Sequence, residues 1–417
     1  MKSSYDLIII GGGPAGLAAA IAAYDAGIRD LLVLERESRC GGILNQCIHN
    51  GFGLRRFGES LTGPEYALRF LDEAERRGIP MLTDTTVLSL RKDKSMTVTS
   101  AALGIVELRA KAVILAMGCR ERSKGALCIA GSRPAGLYSA GAAQKYVNRF
   151  GYLPGRDVVI LGSGDIGLIM ARRMTLEGAR VHAVCEIMPY SSGLRRNVVQ
   201  CLEDFSIPLY LSHTVTKIEG KERVSAIEIS AVDENRRPIP GTEKRIECDT
   251  VLFSVGLIPE NELSKEAMVP LAPETSGAIV YQNRETLSDG IFACGNVLQV
   301  HDLVDFVSEE AEIAGRAAAA YIVGEKAEKD PIKTKTGNGI RYVLPQLIDK
   351  NAEGGFEISF RVTGEFRNCT VVARCGDRVI AKRRRPIVTV GEMEHLKIPG
   401  ELIPTLDGDL VVSLEVE

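Results

Sequence analysis

A strand, glycine loop, helix and second strand occur in this order twice along the chain, and this repeated pattern constrains the fold more than any other feature. The first copy is "YDLIIIGGGPAGLAAAIAAYDAGIRDLLVLER". An apolar run from Leu7 to Ile10 leads into the glycines, an alanine-rich helical stretch follows, and a second apolar run from Leu31 to Leu34 ends at Glu35. The pattern predicts a βαβ unit with a dinucleotide-binding loop.

Each residue type in the first loop has a physical reason. Gly11 permits a tight turn, Gly13 lets a pyrophosphate approach the backbone, and Gly16 lets the helix pack closely on the strand. A phosphate bound there would lie at the positive end of the helix dipole. Glu35 can accept hydrogen bonds from ribose hydroxyls. Such a glycine pattern alone is weak evidence, but the strand before it, the helix after it and the acid in register make it specific.

The second copy is "RDVVILGSGDIGLIMARRMTLEGARVHAVCE". Val158 to Leu161 form the predicted strand, the loop contains Gly162, Gly164 and Gly167, and Glu186 ends the second strand. The chain therefore has two predicted dinucleotide sites.

The acid at position 186 bears on which nicotinamide nucleotide binds. A carboxylate there accepts the free 2′-hydroxyl of NAD and repels the 2′-phosphate of NADP, so NADH is favoured over NADPH. Arg195 and Arg196 lie nearby in sequence and could hold a phosphate. Solvated surface charge is the simpler interpretation of these two arginines.

Two shorter apolar runs end in small residues. The apolar run within "KAVILAMGCRER" ends at Gly118, and the run within "SDGIFACGNVLQV" ends at Gly295 and Asn296. A strand with this ending allows a ligand or a neighbouring backbone to approach closely.

The sequence changes character after about residue 328. Short alternating runs such as "FEISFRVTGEF" and "LVVSLEVE" predict a small antiparallel β domain. The charged segment "EKAEKDPIKTKTGNG" is the predicted linker. The basic run Lys382 to Arg385 would either dock an acidic partner or form a solvated charged face.

Composition excludes several classes of function. The 51 Lys and Arg residues against 54 Asp and Glu residues give a formal charge of -3, so no net field favours nucleic acid or anionic lipid. The apolar runs are too short to span a membrane. The N-terminus enters a strand without a secretory signal, and the ten cysteines lack a disulfide framework spacing, so a reducing, cytoplasmic location is expected.

The motifs "GGGPAG", "AMGCRER", "GSGDIG", "SVGLIPENEL" and "GIFACGN" occur in an order that resembles the flavoprotein pyridine-nucleotide oxidoreductases with two dinucleotide-binding domains. The chain looks most like the FAD- and NAD-linked subunits found with anaerobic glycerol-3-phosphate dehydrogenase, and like subunits of opine and sarcosine oxidases and hydrogen cyanide synthase. The resemblance covers roughly residues 1 to 325. It implies an α/β fold with an FAD domain at 1–118 and 257–327, an NAD domain at 119–256, and a C-terminal β domain at 328–417.

The resemblance also implies which residues bind the cofactors. The FAD set is Gly11, Gly13, Pro14, Ala15, Gly16, Glu35, Arg36, Gly42, Gly118, Gly295 and Asn296. The NAD set is Gly162, Gly164, Asp165, Ile166, Gly167, Glu186 and Gly256. The family usually has Asp at the position of Asn296, but an amide can still accept a bond from a ribityl hydroxyl and donate to a phosphate. A helix beginning near Val307 would point its N-terminus at the flavin pyrimidine and stabilise the reduced anion.

The stretch "RCGGILNQCIHNGFG" raises the question of an internal redox dithiol. Relatives that resemble glutathione reductase keep two cysteines after a Gly-Gly, at positions that correspond here to Leu44 and His49. Relatives that resemble thioredoxin reductase keep them before the second glycine loop, at positions that correspond to Gly141 and Gln144. None of these four positions holds a cysteine.

Cys40 and Cys47 fit neither spacing. The simplest interpretation is that they fill space beside the cofactor. A redox pair of unusual geometry stays open and requires Cα atoms within about 7 Å. Cys47 and His49 are the remaining catalytic candidates, whereas a metal site built from these two residues and Cys40 is disfavoured by its loose spacing, so no metal is expected.

Three functions follow from these observations. The main expectation is that NADH delivers hydride to FAD, and that electrons then pass to or from a partner dehydrogenase subunit or small redox protein. The alternatives are a dithiol relay through Cys40 and Cys47 and a non-catalytic nucleotide-binding assembly subunit. A homo-oligomer is compatible with the sequence, and the terminal substrate is not encoded in any recognisable residue set.

Overall fold

The computed structural model describes residues 2–324 and 329–416. Met1–Cys119 and Pro259–Glu417 form one compact unit, and Arg120–Ile258 form a second. The domain limits expected from the sequence remain proposals, and the limit between 327 and 328 lies outside the described residues. Within the described range, no helix has both the length and the apolar character that crossing a membrane requires.

The first segment of the larger unit forms most of a seven-stranded sheet. Its elements are β1 (Ser4–Ile10), α1 (Pro14–Asp25), β2 (Leu31–Leu34), β3 (Asn50–Phe52), β4 (Leu61–Thr62), α2 (Gly63–Arg76), β5 (Met81–Leu82), β6 (Thr85–Leu90), β7 (Ser95–Ser100) and β8 (Gly104–Leu115). Strands β5, β2, β1 and β8 are parallel neighbours in the sheet. Beyond β8, strand β7 pairs with β8 in the antiparallel direction, and β6 pairs with β7 in the same way. Because β1 is covered on both faces, Leu7 and Ile9 enter one core and Ile8 and Ile10 enter another.

The next part of the chain contains the second unit. Its elements are β9 (Cys119–Glu121), β10 (Ala130–Gly131), β11 (Leu137–Ser139), α3 (Ala140–Phe150), β12 (Asp157–Leu161), α4 (Asp165–Leu176), β13 (Arg180–Glu186), α5 (Arg195–Cys201), β14 (Leu209–Leu211), β15 (His213–Gly220), β16 (Val224–Ala231), β17 (Lys244–Glu247), β18 (Thr250–Phe253) and β19 (Leu257–Pro259). A parallel sheet has the order β11-β18-β12-β13-β14. Each of the two units therefore contains a Rossmann-like parallel sheet, and the predicted fold class is confirmed.

The chain then returns to the larger unit. Its remaining elements are α6 (Glu262–Glu266), β20 (Ile291–Ala293), α7 (Val304–Ile322), β21 (Pro331–Thr336), β22 (Ile340–Leu344), β23 (Leu347–Asp349), β24 (Phe356–Val362), β25 (Phe366–Cys375), β26 (Arg378–Val388), β27 (Glu394–Ile398) and β28 (Leu410–Val416). β20 adds to β8 as a parallel strand. The last eight strands form sheets of order β23-β21-β28-β25-β26 and β22-β24-β27. They share a hydrophobic core that includes Ile358, Phe360 and Val371.

Three details differ from the sequence expectations. Helix α7 begins at Val304 rather than near Val307. The predicted linker contains strand β21, because Thr334 is buried and Ile332 packs on the C-terminal core while Lys333 and Lys335 face solvent. Residues 325–328 of that segment lie outside the described part of the chain. β21 pairs with β28 in parallel, so the C-terminal β region (residues 329–416) is not wholly antiparallel.

Candidate dinucleotide-binding sites

The first glycine loop lies at the carboxyl edge of the parallel strands of the larger unit, where open α/β sheets bind ligands. Gly11 follows β1 with φ +109° and donates its N–H to Leu34 O at 2.8 Å. A Cβ atom at Gly11 would lie 2.4 Å from Ala116 O, and one at Gly16 would lie 1.8 Å from Gly11 O. The close packing of β1, β8 and α1 therefore requires glycine at both positions.

The N-terminus of α1 is open to an anion. Its N-cap is Gly13, no side chain caps the first turn, and Pro14 occupies the first helical position. The amide groups of this turn, including that of Ala15, have no intrahelical acceptor and can donate to phosphate oxygens. A Cβ atom at Gly42 would lie 2.9 Å from the Cα of Gly13, so only two facing glycines leave this backbone cradle unfilled. The cradle fits the pyrophosphate of FAD.

Glu35 is held in place beside this cradle. Its Oε2 accepts the N–H of Gly12 at 2.7 Å, and its Oε1 accepts the N–H of Glu37 at 2.8 Å. The side chain is buried, whereas the adjacent Arg36 is exposed. Each carboxylate oxygen can accept a further bond, which matches the role expected for a ribose partner.

Gly118 and Gly295 both have φ +74°. A Cβ atom at Gly295 would lie 2.7 Å from the Cβ of Ala15, so the Gly295 loop approaches the first turn of α1 closely. Among the described residues of the larger unit, no neighbouring atom lies within 4 Å of a Cβ built at Gly118. Space therefore remains beside Gly118, next to strand β8.

Asn296 is oriented by the segment that follows it. Its Oδ1 accepts the N–H of His301 at 3.0 Å and lies 3.4 Å from the Nδ1 of the same residue. Its Nδ2 is directed to Cys119 Sγ at 3.6 Å. The amide thus uses its acceptor within the protein and keeps donor capacity, which agrees with the expected contact between this amide and a phosphate.

A buried charge cluster, which the sequence motifs do not mark, connects the Gly295 loop to α7. Glu310 accepts the N–H of Gly295 at 2.9 Å and the Nε2 of Gln299 at 3.1 Å. It lies 3.3 Å from Arg284 Nε and 3.5 Å from His301 Nε2. Burial alone would raise the pKa of Glu310, but the charges of His301 and Arg284 and the bond from Gly295 outweigh burial and lower it to about 2. The sequence does not single out Glu310, because α7 also contains Asp305, Glu309 and Glu312.

The second glycine loop repeats this arrangement within the smaller unit. Gly162 has φ +100° and donates to Cys185 O at 2.7 Å. A Cβ atom at Gly162 would lie 2.0 Å from Ser254 O, and the N–H of Gly167 donates to Ser254 Oγ at 3.0 Å. Gly164 is the N-cap of α4, again without a side-chain cap. Ser254 is a part of this loop's support that the glycine motif did not indicate.

Glu186 is anchored in the same way as Glu35. Its Oε2 accepts the N–H of Ser163 at 2.9 Å and the hydroxyl of Ser163 at 2.6 Å, and its Oε1 accepts the N–H of Met188 at 3.0 Å. In both loops the residue after the first glycine and the residue two positions after the acid hold the carboxylate. The second acid therefore presents a fixed negative charge at the expected ribose position.

The other expected NAD residues have different surroundings. The Oδ1 of Asp165 accepts the N–H of Leu194 at 2.9 Å and the Nδ2 of Asn197 at 2.6 Å, so this carboxylate is turned towards α5. Ile166 is partly buried in the α4 core, and Gly256 has φ +102°. These contacts make Asp165 a support of the loop after Glu186.

The cysteines near the first loop occupy different surroundings. All ten cysteines are present as thiols rather than disulfides. Cys40 packs against Gly12, where an added Cβ atom would lie 2.6 Å from the Cys40 Sγ. Cys47 packs against Gly63, where an added Cβ atom would lie 2.8 Å from the Cys47 Cβ. Burial, and secondly the Glu35 carboxylate, raise the pKa of Cys40 to about 11, and burial raises the pKa of Cys47 to about 12. Reactive cysteines need the opposite shift.

The remaining candidate positions are His49 and the two positions, Gly141 and Gln144, that align with the dithiol of relatives resembling thioredoxin reductase. His49 is half-buried, with its ring 4.9 Å from that of Phe52. Gly141 lies in the first turn of α3, and its N–H donates to Glu121 Oε1 at 2.8 Å. Gln144 is buried in the same helix. A carboxylate therefore lies at the helix N-terminus where the first cysteine of a dithiol would be. Among residues 2–324 and 329–416, no group of three or more acidic, His or Cys side chains is placed to hold a metal ion.

Two glycine cradles with buried acids in one chain are typical of the flavin-dependent pyridine-nucleotide oxidoreductases. A family model described as pyridine nucleotide-disulphide oxidoreductase matches residues 5–319, and the chain belongs to this family.

The relatives include thioredoxin reductases and proteins named as subunits. An opine oxidase subunit from Agrobacterium tumefaciens (strain Ach5) is 26% identical over 373 residues, covering 82% of this chain and 71% of that protein. Thioredoxin reductase of Mycolicibacterium smegmatis is 28% identical over 336 residues, covering 79% and 99%. The crystal structure of T. acidophilum thioredoxin reductase superposes with a TM-score of 0.62 at 25% identity, covering 78% of this chain and 99% of that one. The matched regions have the same fold.

Proposed function

We propose that this protein passes electrons between NADH, FAD and an external acceptor or donor subunit, without an internal redox dithiol. When bound, FAD supplies reversible hydride and electron chemistry. The observation that carries the proposal is the protonation state of the two candidate redox thiols, Cys40 and Cys47. Burial raises the pKa of both Cys40 and Cys47, which leaves very little thiolate at neutral pH. Gly141 and Gln144 occupy the other dithiol position.

The chain's own residues bind and orient the two cofactors. The first turns of α1 and α4 donate N–H groups to pyrophosphate oxygens. Glu35 and Glu186 accept hydrogen bonds from ribose hydroxyls. The fixed charge of Glu186 favours NADH over NADPH. Arg195 is paired with Glu203 at 2.9 Å, which supports its interpretation as surface charge rather than a phosphate ligand.

A partner subunit is the proposed source or destination of the electrons. Two relatives are named as components of larger enzymes: the opine oxidase component, and hydrogen cyanide synthase subunit HcnB of Pseudomonas protegens, which is 25% identical over 63% of this chain. By analogy, the partner is a dehydrogenase subunit or a small redox protein. An opine type of substrate agrees with the name of the first relative, whereas an amino-acid substrate and the association with glycerol-3-phosphate dehydrogenase stay predictions.

Anaerobic titration of the FAD-loaded protein tests the first step. NADH is expected to bleach the yellow absorption of the flavin, and the double variant Cys40→Ser with Cys47→Ser is expected to bleach equally and to reduce an artificial acceptor at an unchanged rate. Cys128→Ser, which alters an exposed thiol, is the matched control. Absence of bleaching with either nicotinamide nucleotide would remove the proposal.

A dithiol relay through Cys40 and Cys47 is the second candidate, and the thioredoxin reductase relatives favour it. It predicts that Cys47→Ser abolishes disulfide reduction while FAD stays bound. It also predicts that the number of titratable thiols rises by two when NADH reduces the oxidised enzyme. Unchanged activity of Cys47→Ser, together with a constant thiol count, would reject the relay.

A further inference from the structure

The C-terminal β region contacts the segment that leads into α7. This segment, residues 300–306, is called the α7 entry segment. It follows the loop of Asn296 directly and contains His301, which lies between Asn296 and Glu310. Any displacement of the segment therefore moves a residue that orients both the Asn296 amide and the Glu310 carboxylate.

Asp302 is the first point of contact. One carboxylate oxygen is paired with the guanidinium of Arg361 on β24, and the other accepts the N–H of Met393 at 2.6 Å. The side chains of Asp302 and Arg361 are only 16% and 14% exposed. A pair so far removed from water is costly to break on one side only, because the remaining charge stays buried.

Arg361 has further acceptors on both sides of this contact. Its Nη2 donates to Val300 O at 3.1 Å, and its Nη1 donates to Gly391 O at 3.0 Å. One guanidinium therefore joins backbone carbonyl groups and a carboxylate from separate parts of the chain. The planar, multiple-donor geometry of arginine suits this role, and lysine could not reproduce it.

An aromatic contact lies at the other end of the segment. The rings of Phe306 and His395 are stacked with centroids 4.2 Å apart and planes 28° apart. His395 is held in turn by Glu357, with Nδ1 2.9 Å from Oε1. Phe306 is in the first turn of α7, so the β region fixes both the approach to this helix and its beginning.

We infer that the C-terminal β region is a clamp on the flavin site, in which Arg361 and Asp302 are positioning residues for FAD through the α7 entry segment. This inference rests on the FAD binding assumed in the proposed function. The positive end of α7 favours negative charge in front of it, and the effect declines within the first turn. A loosened segment would therefore weaken FAD binding and stabilise the reduced, anionic flavin less.

The test uses the full-length protein with Arg361→Gln and, as a control, Arg374→Gln. Arg374 lies on β25 of the same region and pairs with Glu415 at 2.7 Å, and both of these side chains are partly exposed to solvent. Arg361→Gln is expected to bind FAD at least about tenfold more weakly, equivalent to about 1.4 kcal/mol. Its flavin midpoint potential, measured by dye equilibration, is expected to be more negative than that of the wild type. Arg374→Gln is expected to match the wild type in both.

Asp302→Asn provides a second test if Arg361→Gln does not fold, because it removes the charge while keeping the size of the side chain. It is expected to lower FAD affinity and potential in the same direction. Wild-type affinity and potential in either folded variant would overturn the clamp, as would equal losses in Arg361→Gln and Arg374→Gln. Wild-type protein that binds no FAD would instead overturn the proposed function, so the two failures are distinguishable.

Discussion

Replacement of Glu186 by glutamine tests nucleotide selection. The change keeps the size of the side chain and removes its charge, which is held in place by Ser163 and Met188. Two unit charges about 5 Å apart repel by about 3 kcal/mol at an effective dielectric constant of about 20. A difference of about 3 kcal/mol corresponds to about a hundredfold change in an equilibrium constant. Wild-type protein should therefore prefer NADH over NADPH by about a hundredfold or more, and Glu186→Gln should lose most of that preference.

The readout is the ratio of the second-order rate constants for flavin reduction by the two nucleotides, measured anaerobically in a stopped-flow instrument. The ratio is more informative than either value, because glutamine also weakens the charged hydrogen bonds from Ser163 and so affects both nucleotides. Glu177→Gln is the control, since Glu177 lies at the far end of α4 and pairs with Arg173. An unchanged ratio in Glu186→Gln, or a wild-type preference for NADPH, would refute the reasoning.

Three further predictions concern the cradle, the buried acid and the thiols. Gly162→Ala should abolish flavin reduction by NADH while FAD stays bound, because its Cβ would lie 2.0 Å from Ser254 O. The control is Gly178→Ala, at φ +88° with no described atom within 4 Å of its Cβ, which should cost only about 1–2 kcal/mol of stability and retain activity. Glu310 has a folded-state pKa of about 2 against an ordinary value of 4.5, so the stabilisation is complete above pH 4.5 and declines towards pH 2. The free energy of unfolding of the wild type should fall by about 3 kcal/mol more than that of Glu310→Gln across this window in denaturant titrations, and parallel profiles would contradict this. Iodoacetamide at pH 8 should label exposed Cys128 before Cys47, as judged by peptide mass mapping, whereas faster labelling of Cys47 would favour the dithiol relay.

Much of the α/β framework could be predicted from local sequence. The expected strand at 31–34 coincides with β2, and the runs 7–10 and 158–161 lie within β1 and β12. These strands are continuous apolar runs because both faces of a parallel strand are buried. Gly11 and Gly162 follow the runs 7–10 and 158–161 because the turn there needs positive φ. Both signals belong to a few consecutive residues, so no knowledge of distant contacts was needed.

The errors lie where distant contacts decide the outcome. Residues 331–336 look like a linker because lysine and threonine dominate, yet their pairing with β28 and β23 makes them a strand. The beginning of α7 was predicted about one turn too late, since the contacts of Asp302 and Phe306 that fix it come from residues 361 to 395.

The sequence by itself determined the two glycine loops, the acid that follows each, and the lack of cysteine at both familiar dithiol positions. These features depend on residue type at short spacing, which the chain states directly. Only the tertiary structure decided that Glu310 is held by Arg284 and His301, that Arg361 reaches Asp302 across 59 positions, and that burial raises the pKa of the nearby thiols. Charge and burial at these sites are sums over neighbours from remote segments, and the path of the folded chain alone brings those neighbours together.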